Sequence, residues 1–205
     1  MGGNVHIGAD PQNQERALGA TSRAGGELRP AEEASRLFVP GEGDRAWYAF
    51  HARPRCEKRA AAACLDMALR HFLPLRESVT SKGKGRYSFE VPLFPGYIFG
   101  CCDLAERLRL MRSGYLVRWM EVVDQRQLLE ELRSVFVASK EGAGLTLYPQ
   151  LKRGRRVRVI RGPLAGVLGR ISRRKESFRL VLNVSVLGTA VALEVDMNDV
   201  ETIHH

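Results

Sequence analysis

The first regular pattern in the chain begins at Arg45, where Ala46-Trp47-Tyr48-Ala49-Phe50-His51 gathers aromatic and small apolar residues into a predicted β-strand. Pro54 then stands where the first turn of a helix tolerates it, and Glu57 supplies an acid that the helix dipole favours. Ala60, Ala61, Cys64, Leu65, Ala68 and Leu69 share one face of the helix that continues to Arg70. From His71 to Val79 the pattern is extended. Ser81-Lys82-Gly83-Lys84-Gly85-Arg86 suits a long hairpin tip, and Tyr87-Ser88-Phe89-Glu90-Val91 alternates with the period of a half-buried strand.

The segment Leu93-Phe94-Pro95-Gly96-Tyr97-Ile98-Phe99 follows. Pro95 fixes φ and Gly96 accepts a backbone shape that a Cβ resists, after which the strand directs Tyr97 and Phe99 to one face and Ile98 to the other. The Tyr97/Phe99 stripe is either core or an exposed aromatic patch of the kind that serves a partner. Asp103 and Glu106, three apart ahead of Leu104, Leu108 and Met111, read as the capped start of a helix. Tyr115 to Met120 is a short strand. Asp124 and Gln127 open a helix whose Leu128, Leu129, Leu132, Val135 and Phe136 fall on one face. This order of elements predicts an α+β domain over residues 45–141, an antiparallel sheet flanked by helices.

Gly142-Ala143-Gly144 opens a linker, read as residues 142–151. Beyond it only strands are predicted. Val157 and Val159 alternate with Arg156 and Arg158, and Leu180, Leu182, Val184 and Val186 form one face of a longer strand. The chain turns at Leu187-Gly188 and returns through Val191, Leu193 and Val195. So many short strands within residues 152–203 predict a small closed barrel, because closure removes exposed sheet edges. Residues 1–44 carry no periodicity and only one aromatic, Phe38, so they read as a disordered arm.

The 205 residues are 44% hydrophobic and 27% charged, a globular composition, with a formal net charge of +9. The excess is local: residues 1–44 hold four bases against seven acids, residues 45–142 hold 17 against 11, and residues 143–205 hold 11 against five. A basic folded part suits work beside polyanions. Cys56, Cys64, Cys101 and Cys102 lack the paired spacing of a zinc site and read as reduced thiols. No apolar run approaches the ~18 residues of a membrane span, so a reducing cytoplasm is the expected compartment. The five His are scattered, Glu130-Glu131 has no converging base, and Ser81-Lys82-Gly83-Lys84-Gly85 lacks the spacing of a phosphate-binding loop. No catalytic residue, metal site or cofactor is predicted, and the chain reads as a non-enzyme.

Trp47-Tyr48 at the start of the fold, Pro92-Leu93-Phe94-Pro95-Gly96-Tyr97-Ile98-Phe99, and the Gly154-x-x-Val157-x-Val159-Ile160-x-Gly162-Pro163-x-x-Gly166-x-x-Gly169-x-Ile171 run resemble the NGN and KOW domains of the NusG family. Val184 to Val191 and Leu193-Glu194-Val195-Asp196 extend the similarity through the last barrel strands. The resemblance implies an α+β NGN domain followed by an SH3-like KOW barrel, and a monomeric transcription elongation or antitermination factor. It also implies docking on the clamp helices of the largest RNA polymerase subunit through positions matching His51, Tyr97, Phe99 and Leu116. Val186, Leu187 and Gly188 match the hairpin that meets ribosomal protein S10 or Rho in NusG, with Leu187 standing where the family places an aromatic.

Arg53-Pro54-Arg55-Cys56-Glu57-Lys58 and Pro92-Leu93 look closer to RfaH-like and UpxY-like operon-specific paralogues than to housekeeping NusG. The β-branched, period-two content of residues 155–195 argues against the helical second domain that RfaH adopts. Arg107, Arg109 and Arg112 in the first domain and Arg156 and Arg158 in the second are candidate nucleic-acid contacts, set against the plainer reading of a solvated charged face. The competing functional class is an RNA-binding or ribosome-associated KOW protein whose first domain is only a scaffold.

Overall fold

Pro30 at the first helical position, Glu32 and Glu33 in the first turn and Arg36 in the last favour a short helix, and α1 spans Pro30–Leu37. This computed structural model describes residues 28–82, 85–174 and 177–203. The expected disordered arm therefore needs correcting over its last part, while residues 1–27 lie outside the described residues. Ala34, Leu37 and Phe38 are all buried, at the i, i+3, i+4 spacing of one helix face. So short a stripe, bounded by Gly and Pro, has no periodicity visible over a longer window.

The chain divides into two compact units, residues 40–125 and residues 30–39 together with 126–203. In the first, β1 (Ala46–Ala52), β2 (His71–Phe72), β5 (Tyr97–Cys102) and β6 (Leu116–Met120) form an antiparallel sheet in the order β2-β5-β1-β6. The helices α2 (Glu57–Asp66) and α3 (Leu104–Arg112) contribute Ala60, Ala61, Cys64 and Leu110 to one core with Phe50, Ala52, Ile98, Cys102 and Leu116. Among the described residues the strands β3 (Leu75–Lys82) and β4 (Gly85–Pro92) pair only with each other, as a separate two-stranded ladder.

The predicted start of α3 takes the form of a capping box. The Glu106 N–H donates to the Asp103 side chain at 2.9 Å and the Asp103 N–H donates back to Glu106 at 3.0 Å. Gln125 ties the opposite edge of β1: it accepts from the Trp47 N–H and donates to the Trp47 carbonyl, each at 2.9 Å.

In the second unit α4 (Gln125–Lys140, its first residue belonging to the other unit) packs with α1. Phe38 meets Phe136 edge to face at 5.7 Å, Arg133 donates to the Phe38 carbonyl, and Lys140 lies 3.4 Å from Glu33. The β-rich part comprises β7 (Thr146–Pro149), β8 (Arg156–Val159), β9 (Leu168–Arg174), β10 (Ser177–Val184), β11 (Thr189–Val195) and β12 (Val200–Thr202). Two expectations change here. Residues 142–151 are not a bare linker, since β7 lies within them and pairs with β11. The sheet order is the open β12-β8-β9-β10-β11-β7, with no ladder between β12 and β7 among the described residues, so a closed barrel is not what the pairing displays. The free edge of β11 that closure was expected to protect is covered by β7 instead.

Both faces of β10 and β11 are buried. Leu180, Leu182 and Val184 lie on one side, and Val181, Ala190 and Ala192 cluster with Tyr148 and Leu151. Asn183 clamps the end of the supposed linker, accepting from the Leu151 N–H and donating to its carbonyl, each at 3.0 Å. Gly169 sits opposite Val157, and a Cβ there would come within 2.7 Å of Leu180 and 2.9 Å of the Val181 carbonyl. Gly169→Ala should therefore destabilise the protein by about 1–3 kcal/mol, read as a lower midpoint in thermal melting followed by circular dichroism. An unchanged midpoint would contradict the close packing.

Three of the four cysteines are buried and all four are free thiols. Burial, reinforced by the neighbouring Cys102, pushes the Cys64 thiol up to about 12, and burial with the adjacent Cys101 does the same to Cys102. Cys101 is also raised by burial, against the opposing charge of Arg70, whose guanidinium donates to its sulfur at 3.6 Å. At pH 8 the folded chain should give one accessible thiol to a chromogenic disulfide reagent, the half-exposed Cys56, and four after denaturation. Because the folded state holds thiol protons that the unfolded chain releases near its ordinary value of 9.0, stability should fall as pH rises from about 9 towards 12.

Candidate functional site

The turn at Phe94-Pro95-Gly96 is held on three sides. Gly96 has φ +82, the Tyr97 N–H donates to the Phe94 carbonyl at 3.1 Å, and the Ala52 N–H donates to the Gly96 carbonyl at 2.8 Å. The Gly96 N–H in turn donates at 2.8 Å to Glu57, a mostly buried carboxylate in the first turn of α2. Glu57 was legible as a helix-favouring acid. Its further use, tying α2 to a turn 39 residues away, leaves no local signal.

That turn starts β5 in register with β1, placing Tyr97 opposite His51 and His51 opposite Arg118 of β6. The Tyr97 and His51 rings stack at 5.1 Å, 29° apart, and both are half-buried. A Cβ on Gly96 would meet the His51 ring at 3.4 Å, an ordinary contact, so it is the positive φ of the turn that calls for glycine here. With the exposed Arg118 alongside, the three strands present a small aromatic surface rimmed by a cation.

Phe99 and Leu116 are not part of this surface. Phe99 is fully buried, with the rings of Phe72 and Phe94 each 6.4 Å away, because β5 is central in its sheet and both its faces are covered. Leu116 is 4% exposed and packs in the α2/α3 core: a bulge between His51 and Ala52 sets it opposite Ala52, away from the His51 register. The stripe and docking expectations thus separate, with Tyr97 at the surface and Phe99 in the core.

The candidate nucleic-acid arginines also divide. Arg107 is buried between Tyr48 and Trp119, its guanidinium carbon 4.4 and 4.8 Å from the two ring centroids, and Nε and Nη1 find no hydrogen-bond partner. A desolvated sandwich of this kind contributes roughly 2 kcal/mol or more and makes Arg107 a structural residue, unsuited to a phosphate contact. Arg109 and Arg112 are exposed on α3, Arg156 is half-buried, and Arg158 is exposed 3.6 Å from Glu201.

Val186 and Leu187 lie in a short 3-10 turn over Ser185–Leu187, closed by Gly188 at φ 64. The turn is anchored to α4. Glu131 accepts from the Ser185 N–H at 2.8 Å and from its hydroxyl at 2.5 Å, while Gln127 donates to the same hydroxyl at 2.9 Å. This non-local anchor was invisible in the sequence, where Glu130-Glu131 is only an acid pair without a converging base. Among the described residues no group of three His, Cys, Asp or Glu side chains is arranged to hold a metal ion, and no helix is long and apolar enough to cross a membrane.

Residues 45–135, under half of the chain, match the NusG family model, described as transcription termination factor nusG. No curated protein matches the chain. Among solved structures, a chain of the one described as the MjSpt4:Spt5 complex in conformation B is similar at 15% identity, over 78% of this chain and 97% of that one, with a TM-score of 0.24. The family match spans the whole β1-to-β6 sheet, including the Tyr97–His51 stack.

A charged acceptor on a backbone N–H contributes roughly 1.5–3 kcal/mol. Glu131→Ala should therefore speed hydrogen exchange at the Ser185 amide by about tenfold or more while leaving exchange in β1 and β5 unchanged, as read by mass spectrometry or NMR. Unaltered exchange at Ser185 would remove Glu131 as the anchor.

Proposed function

We propose that residues 45–135 form the polymerase-docking module of a transcription elongation factor, with the stacked His51 and Tyr97 as its central contact on the clamp helices of the largest RNA polymerase subunit. The observation that carries this reading is the coincidence of the NusG family match with a stacked aromatic pair left half-exposed where β1 and β5 meet, beside the exposed Arg118. Tyrosine is an effective anchor at such surfaces, offering large rigid area with one polar end. Arg118 supplies a charge at the rim.

A factor that binds the elongating conformation of polymerase more tightly than the paused one raises processivity by shifting that equilibrium, without chemistry of its own. Arg109 and Arg112, exposed on α3, are the cations offered to nucleic acid in that complex. The β-rich residues 146–203 are proposed to act as the SH3-like KOW module, presenting Val186, Leu187 and Gly188 to a second protein such as ribosomal protein S10 or Rho. Operon-specific antitermination of the RfaH-like or UpxY-like kind, in the cytoplasm, is the form of this activity that the sequence resemblance favours.

The test is co-purification with core RNA polymerase and with its isolated clamp helices. His51→Ala with Tyr97→Ala should weaken binding by at least about tenfold in a protein that melts like wild type. Binding equal to wild type would reject the docking surface.

A further inference from the structure

The hairpin β3–β4 carries the other exposed aromatic pair. Its register sets Arg76 opposite Val91, Ser78 opposite Phe89, and Thr80 opposite Tyr87, so these six residues share one face of the ladder. Glu77 and Glu90 pair on the opposite face with Val79 and Ser88, and the Ser88 hydroxyl donates to Glu77. The two acids of the ladder are thereby kept off the aromatic face. Tyr87 is 58% exposed and Phe89 47%. Two large rings at i and i+2 on one face make a contiguous patch, unlike the single exposed apolar residues that need no explanation.

The anchored end of the hairpin is tied into the fold. Leu75 is buried, and the Leu93 N–H donates to the Pro74 carbonyl at 2.8 Å. The other end carries Lys82, Lys84 and Arg86 in the sequence, and Arg76 is exposed on the aromatic face itself.

We propose that the Tyr87/Phe89 face of the β3–β4 hairpin docks single-stranded RNA. Rings two residues apart on a strand are spaced by about 6.8 Å, roughly twice the rise per nucleotide, so each can stack a base of a locally splayed strand. Arg76, exposed on this face, supplies a cation for phosphate, the sequence adds Lys82, Lys84 and Arg86, and the absence of the ladder's two acids from this face removes the repulsion that a polyanion would meet. The choice of RNA rests on Ser78 and Thr80: each aromatic has a hydroxyl directly across the ladder, a donor and acceptor suited to a ribose 2′-OH beside a stacked base. The surface is distinct from the Tyr97–His51 stack, so either can fail without the other.

The experiment is fluorescence anisotropy of a labelled twelve-residue oligouridylate with the whole chain at several salt concentrations. Tyr87→Ala with Phe89→Ala should raise Kd by about tenfold or more, whereas Tyr87→Phe with Phe89→Tyr, which keeps both rings, should leave it within about threefold. Arg76→Ser with Lys82→Ser should lower the slope of log affinity against log salt by about 1.4, and Val79→Ala on the opposite face should change nothing. Wild-type affinity in a properly melting Tyr87→Ala/Phe89→Ala protein would overturn the proposal. Equal affinity for the matching oligodeoxyuridylate would overturn the assignment to RNA. Loss of polymerase capture by this aromatic variant, with no RNA binding by wild type, would give the face to a protein partner and also overturn it.

Discussion

The ladder between β1 and β5 is the constraint on which the first unit depends. Its register, with Trp47 opposite Cys101, Ala49 opposite Phe99 and His51 opposite Tyr97, decides which side chains are core and which are surface. A slip of one residue would turn Ile98 and Phe50 out of the helix-side core and send Tyr97 inward. Four non-ladder bonds oppose that slip. Glu57 and the Ala52 N–H hold the two polar groups of Gly96 at one end, and Gln125 holds both polar groups of Trp47 at the other. The surface aromatics are thus set by backbone bonds at the strand ends more than by anything the rings do for each other.

A second theme is the use of charged side chains as fasteners between distant elements. Glu57 binds a turn, Glu131 binds the Ser185 hairpin, and Arg107 lies between two rings. Burying an ion pair costs solvation on both sides, whereas a carboxylate accepting a backbone N–H satisfies a donor that also needs a partner. Arg107 is the expensive member, with two buried N–H groups unbonded, and its aromatic faces offset that cost only through the ring quadrupoles.

Much of this was legible in the sequence because it is local. The Asp103/Glu106 box, the α4 stripe through Phe136, the Tyr97 strand and the valine alternation in β8 each need only a few neighbouring residues to be recognised. What was missed is non-local or too short. Three residues of α1 cannot establish a period, β7 acquires its strand character from pairing with β11, and the burial of Phe99 follows from the central place of β5 rather than from its alternation. The same reasoning explains Leu116, displaced into the core by a bulge that no spacing rule announces. Function was legible only through family resemblance, since the residues themselves offer no converging chemistry.

The two exposed aromatic pairs differ in what surrounds them, and that difference has a consequence for how they respond to solution conditions. Tyr97 and His51 stack on each other beside one cation, so contact there is dominated by area removed from water and depends weakly on salt. Tyr87 and Phe89 share a face with the exposed Arg76 and with neither acid of the ladder, in a segment whose sequence also holds Lys82, Lys84 and Arg86, so a polyanion bound there would release counterions and weaken as salt rises. A net charge of +9 biases the whole molecule towards polyanions at long range, but within about 10 Å of the surface the local arrangement decides. Raising ionic strength would therefore act differently on the two proposed surfaces: it would weaken a polyanion held on the hairpin while sparing an apolar contact at the sheet-borne stack.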